Sequence, residues 1–163
     1  MERLMTHEIS DMVASDIMVR RLVKLQPDTD VFKAIETLVK NRISGAPVVD
    51  EDNRLLGVFS EKCCMQVLVD AAYEGLPTNQ VRAFMDKDPD SVDENTQLIS
   101  IANFFLITPS RRLPVLRNGK LVGQISRRDV IRVAARKAPK QTDHSKRLLY
   151  LSALRELEEV PAV

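Results

Sequence analysis

No charge of one sign dominates this chain. Its 24 Lys and Arg stand against 23 Asp and Glu, so it lacks the basic excess expected of a nucleic-acid binder. Aromatic residues make up only 4%, too few to interleave with basic side chains as stacking platforms for single strands. No apolar run is long enough to span a bilayer, and Met1-Glu2-Arg3-Leu4 lacks a basic segment followed by an apolar core. A soluble, cytoplasmic protein is expected, with neither nucleic acid nor membrane as partner. The only cysteines, Cys63 and Cys64, are adjacent. Neighbouring residues rarely reach disulfide geometry, and these two form neither a Cys-x-x-Cys motif nor a metal ligand set. They read as two free thiols in a reducing compartment. His7 and His144 are isolated from any nucleophile or ligand set, and no catalytic constellation is found, so an enzyme, a catalytic cofactor and a metal are not expected.

What the chain has is a repetition. Gly57-Val58-Phe59-Ser60-Glu61-Lys62-Cys63 returns as Gly123-Gln124-Ile125-Ser126-Arg127-Arg128-Asp129. Upstream, Met18 matches Met85, Leu25 matches Val92, Thr29 matches Thr96, Val31 matches Leu98 and Pro47 matches Pro114, all at an offset of 67 residues. The turn before each Gly differs by one residue. Such internal periodicity has to be recognised before any fold is assigned. Each unit is only about sixty residues, a size that buries roughly 60% of its unfolded surface, so the two units are expected to share one core.

Within the first unit, Leu22 to Leu25 reads as a short strand, and Asp28 and Thr29 as helix-start residues. Val31, Ala34, Ile35, Leu38 and Val39 follow at helical spacing. Ala46 to Val49 and Leu55 to Phe59 flank the polar turn Asp50-Glu51-Asp52-Asn53 as a hairpin, and a second helix runs from Glu61 through Met65, Leu68, Val69 and Ala72. The second unit repeats the order: a strand at Ser91-Val92, a helix from Thr96 to Leu106, and a hairpin of Leu113 to Leu116 and Leu121 to Ile125 around Asn118-Gly119, a strong tight-turn signal. A last helix starts at Arg127. Short helices are expected before each first strand, at Val13 to Met18 and Val81 to Met85. The organisation is therefore an N-terminal segment 1–11, a first motif 12–73, a linker 74–80, a second motif 81–136, and a basic linker with a C-terminal helix 137–163.

Ser126 falls where a strand meets a helix, and a helix start exposes unpaired N–H groups and positive dipole that attract phosphate. Asp129 lies one turn on along the same face and can accept hydrogen bonds from two hydroxyls. Gly123 allows close backbone approach. The plainer reading makes Ser126 an N-cap and Asp129 a first-turn charge, an arrangement common in helices without ligands.

A β-α-β-β-α unit occurring twice, with Gly-Ala-Pro-Val-Val-Asp at 45 to 50 and Gly-x-x-Ser opening the last helix, resembles the CBS domain family, and two such motifs resemble a Bateman module. The likeness covers residues from about 12 to 136. It implies an α/β (α+β) fold of two tandem motifs packed with pseudo-two-fold symmetry, with clefts between them that take AMP, ADP or ATP in preference to S-adenosylmethionine. Adenine would lie near the first strand and the Pro-containing strand, at Ser91, Val92, Leu113 and Pro114. The Ser126 hydroxyl would contact phosphate and Asp129 the ribose. Arg111 and Arg112 precede Leu113-Pro114-Val115 in a tract similar to the His-Arg-Leu-Pro-Val stretch of kinase gamma subunits, where the Arg helps hold phosphate; a guanidinium suits that task. Arg127 flanks Ser126, and one of Arg127 and Arg128 reads as a solvated charge. The first motif departs from the pattern because Cys63 stands at the Asp position, and a thiol is a poor acceptor for ribose. Its site, at Lys24, Ser44, Ala46, Pro47, Ser60 and Cys63, is expected to be the weaker one.

Leu148, Leu149, Leu151, Leu154 and Leu157 describe an amphipathic helix ending at Val160-Pro161. It either packs on the module itself or caps a partner. Residues 127 to 147 carry eight Lys and Arg against two Asp, a run that draws phosphates or an acidic partner, or is simply solvated. The leading expectation is a non-enzymatic regulatory module that senses an adenosine ligand, forms a homodimer and signals to an unidentified regulated protein. The alternative is a ligand-free structural or interaction module acting through dimerisation and its C-terminal helix.

Overall fold

The computed structural model describes residues 11–73, 75 and 79–137; the expected C-terminal helix and most of the N-terminal segment lie outside them. In chain order the elements are α1 (Ala14–Ile17), α2 (Val31–Asn41), β1 (Gly45–Val49), β2 (Leu55–Ser60), α3 (Glu61–Tyr73), a single 3-10 turn (Val81–Ala83), β3 (Val92–Asp93), α4 (Leu98–Ile107), β4 (Arg112–Arg117), β5 (Lys120–Ser126) and α5 (Arg127–Lys137). Two tandem motifs of mixed α/β type result. β1 and β2 form one antiparallel hairpin, and β3-β4-β5 a sheet in which β3 is parallel to β4. The strand expected at Leu22 to Leu25 contracts to one parallel bridge between Leu25 and Val48. That bridge is the counterpart of Val92 with Val115 in the second sheet.

The duplication is visible in the backbone. β1 is irregular at Val48/Val49, and β4 at the equivalent Val115/Leu116. The Asn118-Gly119 turn is built as its sequence demands, with φ of 51° and 75°, the double left-handed turn that fits the twist of a hairpin. α2 starts one residue later than its Asp28-Thr29 signal. Asp30 is the cap, its carboxylate accepting from the N–H groups of Phe32 (2.9 Å) and Lys33 (3.2 Å), while Thr29 closes a turn back to Gln26. At its other end Arg42 takes a left-handed φ of 52° and donates its N–H to the carbonyls of Leu38 and Val39.

The core is divided, contrary to the single shared core expected from unit size. One cluster gathers Val31, Ala34, Leu38, Val48, Phe59, Cys64 and Val67; the other gathers Ile101, Phe105, Leu113, Val115 and Ile125. The motifs are stitched by exchange. Val81, Phe84 and Met85, which lead into the second motif, pack in the first cluster, while Ala14, Ile17 and Met18, which lead into the first motif, pack in the second. Backbone bonds hold the exchanged segments in matching positions: Val81 N–H donates to Thr29 and Ala14 N–H to Thr96, each at 2.9 Å. Val19 bridges Gln124, and Asp86 bridges Val58. The hairpin tips also meet, with the Asn53 side-chain amide donating to the Leu121 carbonyl at 2.6 Å. Burying a side chain the size of Val81 or Met18 is worth about 1.5 to 3 kcal/mol, so neither motif keeps its full core without the other's lead-in segment.

Two amphipathic faces differ from the sequence reading. Val39 stands 73% exposed although it fits the α2 stripe. On α3 the buried side is Cys63, Cys64 and Val67, and Met65, Leu68 and Val69 face outward. α3 is apolar around most of its circumference, so spacing alone does not say which face meets the sheet.

Candidate functional site

Exchange of the lead-in segments opens two clefts between the motifs. The larger, about 550 Å³, lies over the start of α3: Ser44 to Pro47 and Ser60 to Lys62 come from the first motif, and Asp86, Asp88 to Asp90 and Pro109 to Arg112 from the second. The smaller, about 220 Å³, lies over the start of α5, where Ser126 and Asp129 face Arg21, Leu22 and Val23 of the first motif. The same segments of each motif contribute, with the motifs' roles reversed.

Ser126 and Asp129 satisfy each other. The Asp129 carboxylate accepts from the Ser126 N–H (2.9 Å) and hydroxyl (2.6 Å), and Ser126 Oγ accepts from the Asp129 N–H (3.3 Å). This reciprocal capping box is the plainer of the two sequence readings. It leaves one carboxylate oxygen, Oδ1, paired with Arg132 at 3.0 Å on the helix surface. A carboxylate carries about four acceptor sites, so the cap does not exhaust Asp129. In the first motif the box is broken: Cys63 Sγ lies 3.4 Å from Ser60 Oγ and donates weakly to the Val58 carbonyl at 3.8 Å. Cys63 is buried and does not line the cleft. Beside it, burial pushes the Cys64 thiol above its ordinary pKa, with the Cys63 and Glu61 charges acting in the same direction.

The arginines fall elsewhere than their neighbours in sequence imply. Arg111 and Arg112, with Pro114, line the larger cleft beside Ser60 rather than grouping with Ser126 alone, and Arg112 also reaches the smaller cleft. Arg127 lines neither cleft. Its guanidinium donates to the carbonyls of Thr108 (2.8 Å) and Ser110 (3.1 Å), with Phe105 beneath it at 5.9 Å. It thereby positions the loop that carries Arg111. Ser110 is fixed a second time, its hydroxyl donating to Asp90 at 2.7 Å.

Of the remaining expected site residues, Ser44, Ala46 and Pro47 line the larger cleft. Lys24 does not: its ammonium donates to Asn53 Oδ1 at 2.8 Å and supports the hairpin tip. Leu113 is fully buried in the second core, Val92 packs against that core, and exposed Ser91 borders neither cleft. Gly123 admits the Met18 side chain rather than a ligand; a Cβ there would lie 2.8 Å from Met18 Cγ. Sequence reasoning missed Asp86, Asp88 and Asp90 in the larger cleft and Arg21 to Val23 in the smaller. The offset of 67 residues superimposes these two segments, but their side chains have diverged, so no shared motif marks them. Among the described residues no helix is long and apolar enough to cross a membrane.

Comparison with known proteins gives a consistent result. The CBS domain family model matches residues 13–70 and 81–136. CBSX1, a chloroplastic CBS domain-containing protein of Arabidopsis thaliana, is 35% identical over 136 residues, covering 68% of this chain and 58% of its own. The MJ1225 protein of Methanocaldococcus jannaschii is 28% identical over 118 residues, covering 72% and 41%. The chain thus spans about half the length of these two relatives. The crystal structure of CBSX2 in complex with AMP superposes with a TM-score of 0.66 at 33% identity, covering 76% of this chain and 96% of that one.

Proposed function

Since the chain belongs to the CBS domain family, we propose that it is a regulatory module that binds an adenosine nucleotide in the larger cleft. The observation that carries this reading is the meeting of Ser60, at the start of α3, with Arg111 and Arg112 across a space of about 550 Å³. Small-molecule sites are commonly about 300 to 1,000 Å³, and this one pairs a helix N-terminus with two guanidinium groups, the chemistry that suits a phosphate. CBSX2, its relative at 33% identity, was solved with AMP. Ala46, Pro47 and Val58 supply apolar surface for a base. The smaller cleft, with Ser126, Asp129 and Arg112, is a second, tighter space for the same class of ligand. AMP, ADP and ATP are preferred over S-adenosylmethionine because Arg111 and Arg112 favour a phosphate-bearing ligand.

Ligand binding regulates something only if the bound and free states differ in affinity for it. A separate regulated protein is the partner this reading requires, and a homodimer is proposed beside it. The outward apolar faces of α3 and α4 support the homodimer, with Met65, Leu68, Leu106 and Ile107 all exposed. The free thiols Cys63 and Cys64 favour a reducing compartment such as the cytoplasm, although CBSX1 and CBSX2 are chloroplastic.

Titration calorimetry with AMP, ADP, ATP and S-adenosylmethionine tests the assignment. Heat from at least one adenosine phosphate is expected, strongly reduced when Arg111 and Arg112 are both replaced by Ala. No heat at millimolar ligand, or equal heat in that variant, sinks it.

A further inference from the structure

Arg112 lines both clefts. Its counterpart in the first motif, 67 residues earlier, is Gly45, which also borders both but has no side chain to offer. A fully symmetric pair would place two cations at this junction; this chain places one. Arg112 is the first residue of β4 and stands opposite Ser126 on β5, so its base is held at the edge of the smaller cleft while its exposed side chain can turn to either. The other cations do not substitute for it. Arg111 and Lys62 line only the larger cleft, Arg21 only the smaller, and Arg127 is spent on the carbonyls of Thr108 and Ser110.

We infer that Arg112 is a single cation shared by the two clefts, so that an anionic ligand in one weakens the binding of an anionic ligand in the other. The inference rests on the nucleotide reading above and adds to it a coupling between the sites. The first phosphate to arrive takes the guanidinium as its partner. The second meets a cation already neutralised. Hydrogen bonds to a charged group are worth enough that losing them costs about ten-fold or more in affinity. A neutral ligand makes no demand on Arg112, so adenosine should fill the clefts independently. By linkage the coupling is reciprocal.

The test is a site-resolved amide NMR titration with AMP, reading Glu61 and Lys62 for the larger cleft and Arg128 and Asp129 for the smaller. Arg111→Ala weakens the larger cleft alone, and Asp129→Ala the smaller alone. The cleft that fills second in the wild type should gain about ten-fold in AMP affinity when its neighbour is emptied by one of these variants. Adenosine should show no such gain, and adding Arg112→Gln should abolish it. Unchanged affinity at the remaining cleft in both variants overturns the coupling, as does a gain that persists with adenosine or in the Arg112→Gln background. Absence of any AMP-dependent shift in the wild type at either cleft overturns the nucleotide reading itself, an outcome separate from independent filling.

Discussion

Gly57 lies beneath Met85 so closely that a Cβ there would stand 2.9 Å from the Met85 sulfur, and the Asp86 carbonyl presses on the same point. The equivalent Gly123 lies beneath Met18. Both glycines serve the crossing of one motif's lead-in segment over the other motif's hairpin. The neighbours differ in what can give way: a backbone carbonyl locked in the bridge of Asp86 with Val58, or the side chain of a methionine. Gly57→Ala should therefore destabilise more than Gly123→Ala, by about 2 to 3 kcal/mol against about 1, within the usual range for overpacking. Denaturant unfolding of the two variants decides it, and an equal or larger loss at Gly123 would contradict the argument.

Cys63→Asp should restore in the first motif the capping box that Ser126 and Asp129 form in the second. It puts an ionised acceptor beside Ser60, and a charged hydrogen bond is worth about 1.5 to 3 kcal/mol, or roughly ten- to a hundred-fold in affinity. Asp129 lines its own cleft while it caps its helix, and an aspartate at position 63 would reach past the buried thiol in the same way, so AMP binding in the larger cleft should tighten on that scale in calorimetry. Unchanged affinity, in a variant shown to be folded, would mean that the Asp position does not face the ligand.

The Arg117 guanidinium, hydrogen-bonded to Glu94, holds that carboxyl below its ordinary pKa. A carboxyl with a lowered folded-state pKa adds stability that is complete above its unfolded value and is lost as pH falls through the folded one. The melting-temperature gap between wild type and Glu94→Gln should be widest near neutrality and should close as acidification protonates the carboxylate. A gap that stays constant over that range would assign the effect to packing instead of charge.

Leu68 on α3 and Leu106 on α4 are 52% and 81% exposed, which fits the proposed homodimer. Light scattering at tens of micromolar, where weak interfaces begin to dissociate, should give twice the chain mass for the wild type and a monomer for the Leu68→Glu, Leu106→Glu double variant. A monomeric wild type would remove the dimer from the account.

The duplication made much of this fold legible. It paired the hairpins, placed the two helix starts at Ser60 and Ser126, and marked Cys63 as the point of departure between the motifs. Exchange of the lead-in segments was not legible, because the bridges of Val19 with Gln124 and Asp86 with Val58 join backbone groups that leave no trace in residue type. That exchange also redistributes the site. Arg111 and Arg112 precede Ser126 in the same motif, yet the crossing sets them over Ser60 of the other. The resemblance implies Leu113 as an adenine contact on the Pro-containing strand, but on a strand successive side chains alternate between faces, and Leu113 takes the core side. The orientation of α3 was hidden for another reason: with apolar residues on several sides, only the sheet beneath decides that Cys64 and Val67 go inward and Met65 outward.

The central claim is that this CBS pair holds an adenosine ligand between its motifs. Native mass spectrometry of the protein purified from its own host, then titrated with AMP, ADP, ATP and S-adenosylmethionine, tests it most directly. The account predicts a co-purified adenosine-type mass or an AMP, ADP or ATP adduct, depleted in the Arg111→Ala, Arg112→Ala double variant. A bare chain at every step, with no adduct from any of the four at millimolar concentration, would contradict it.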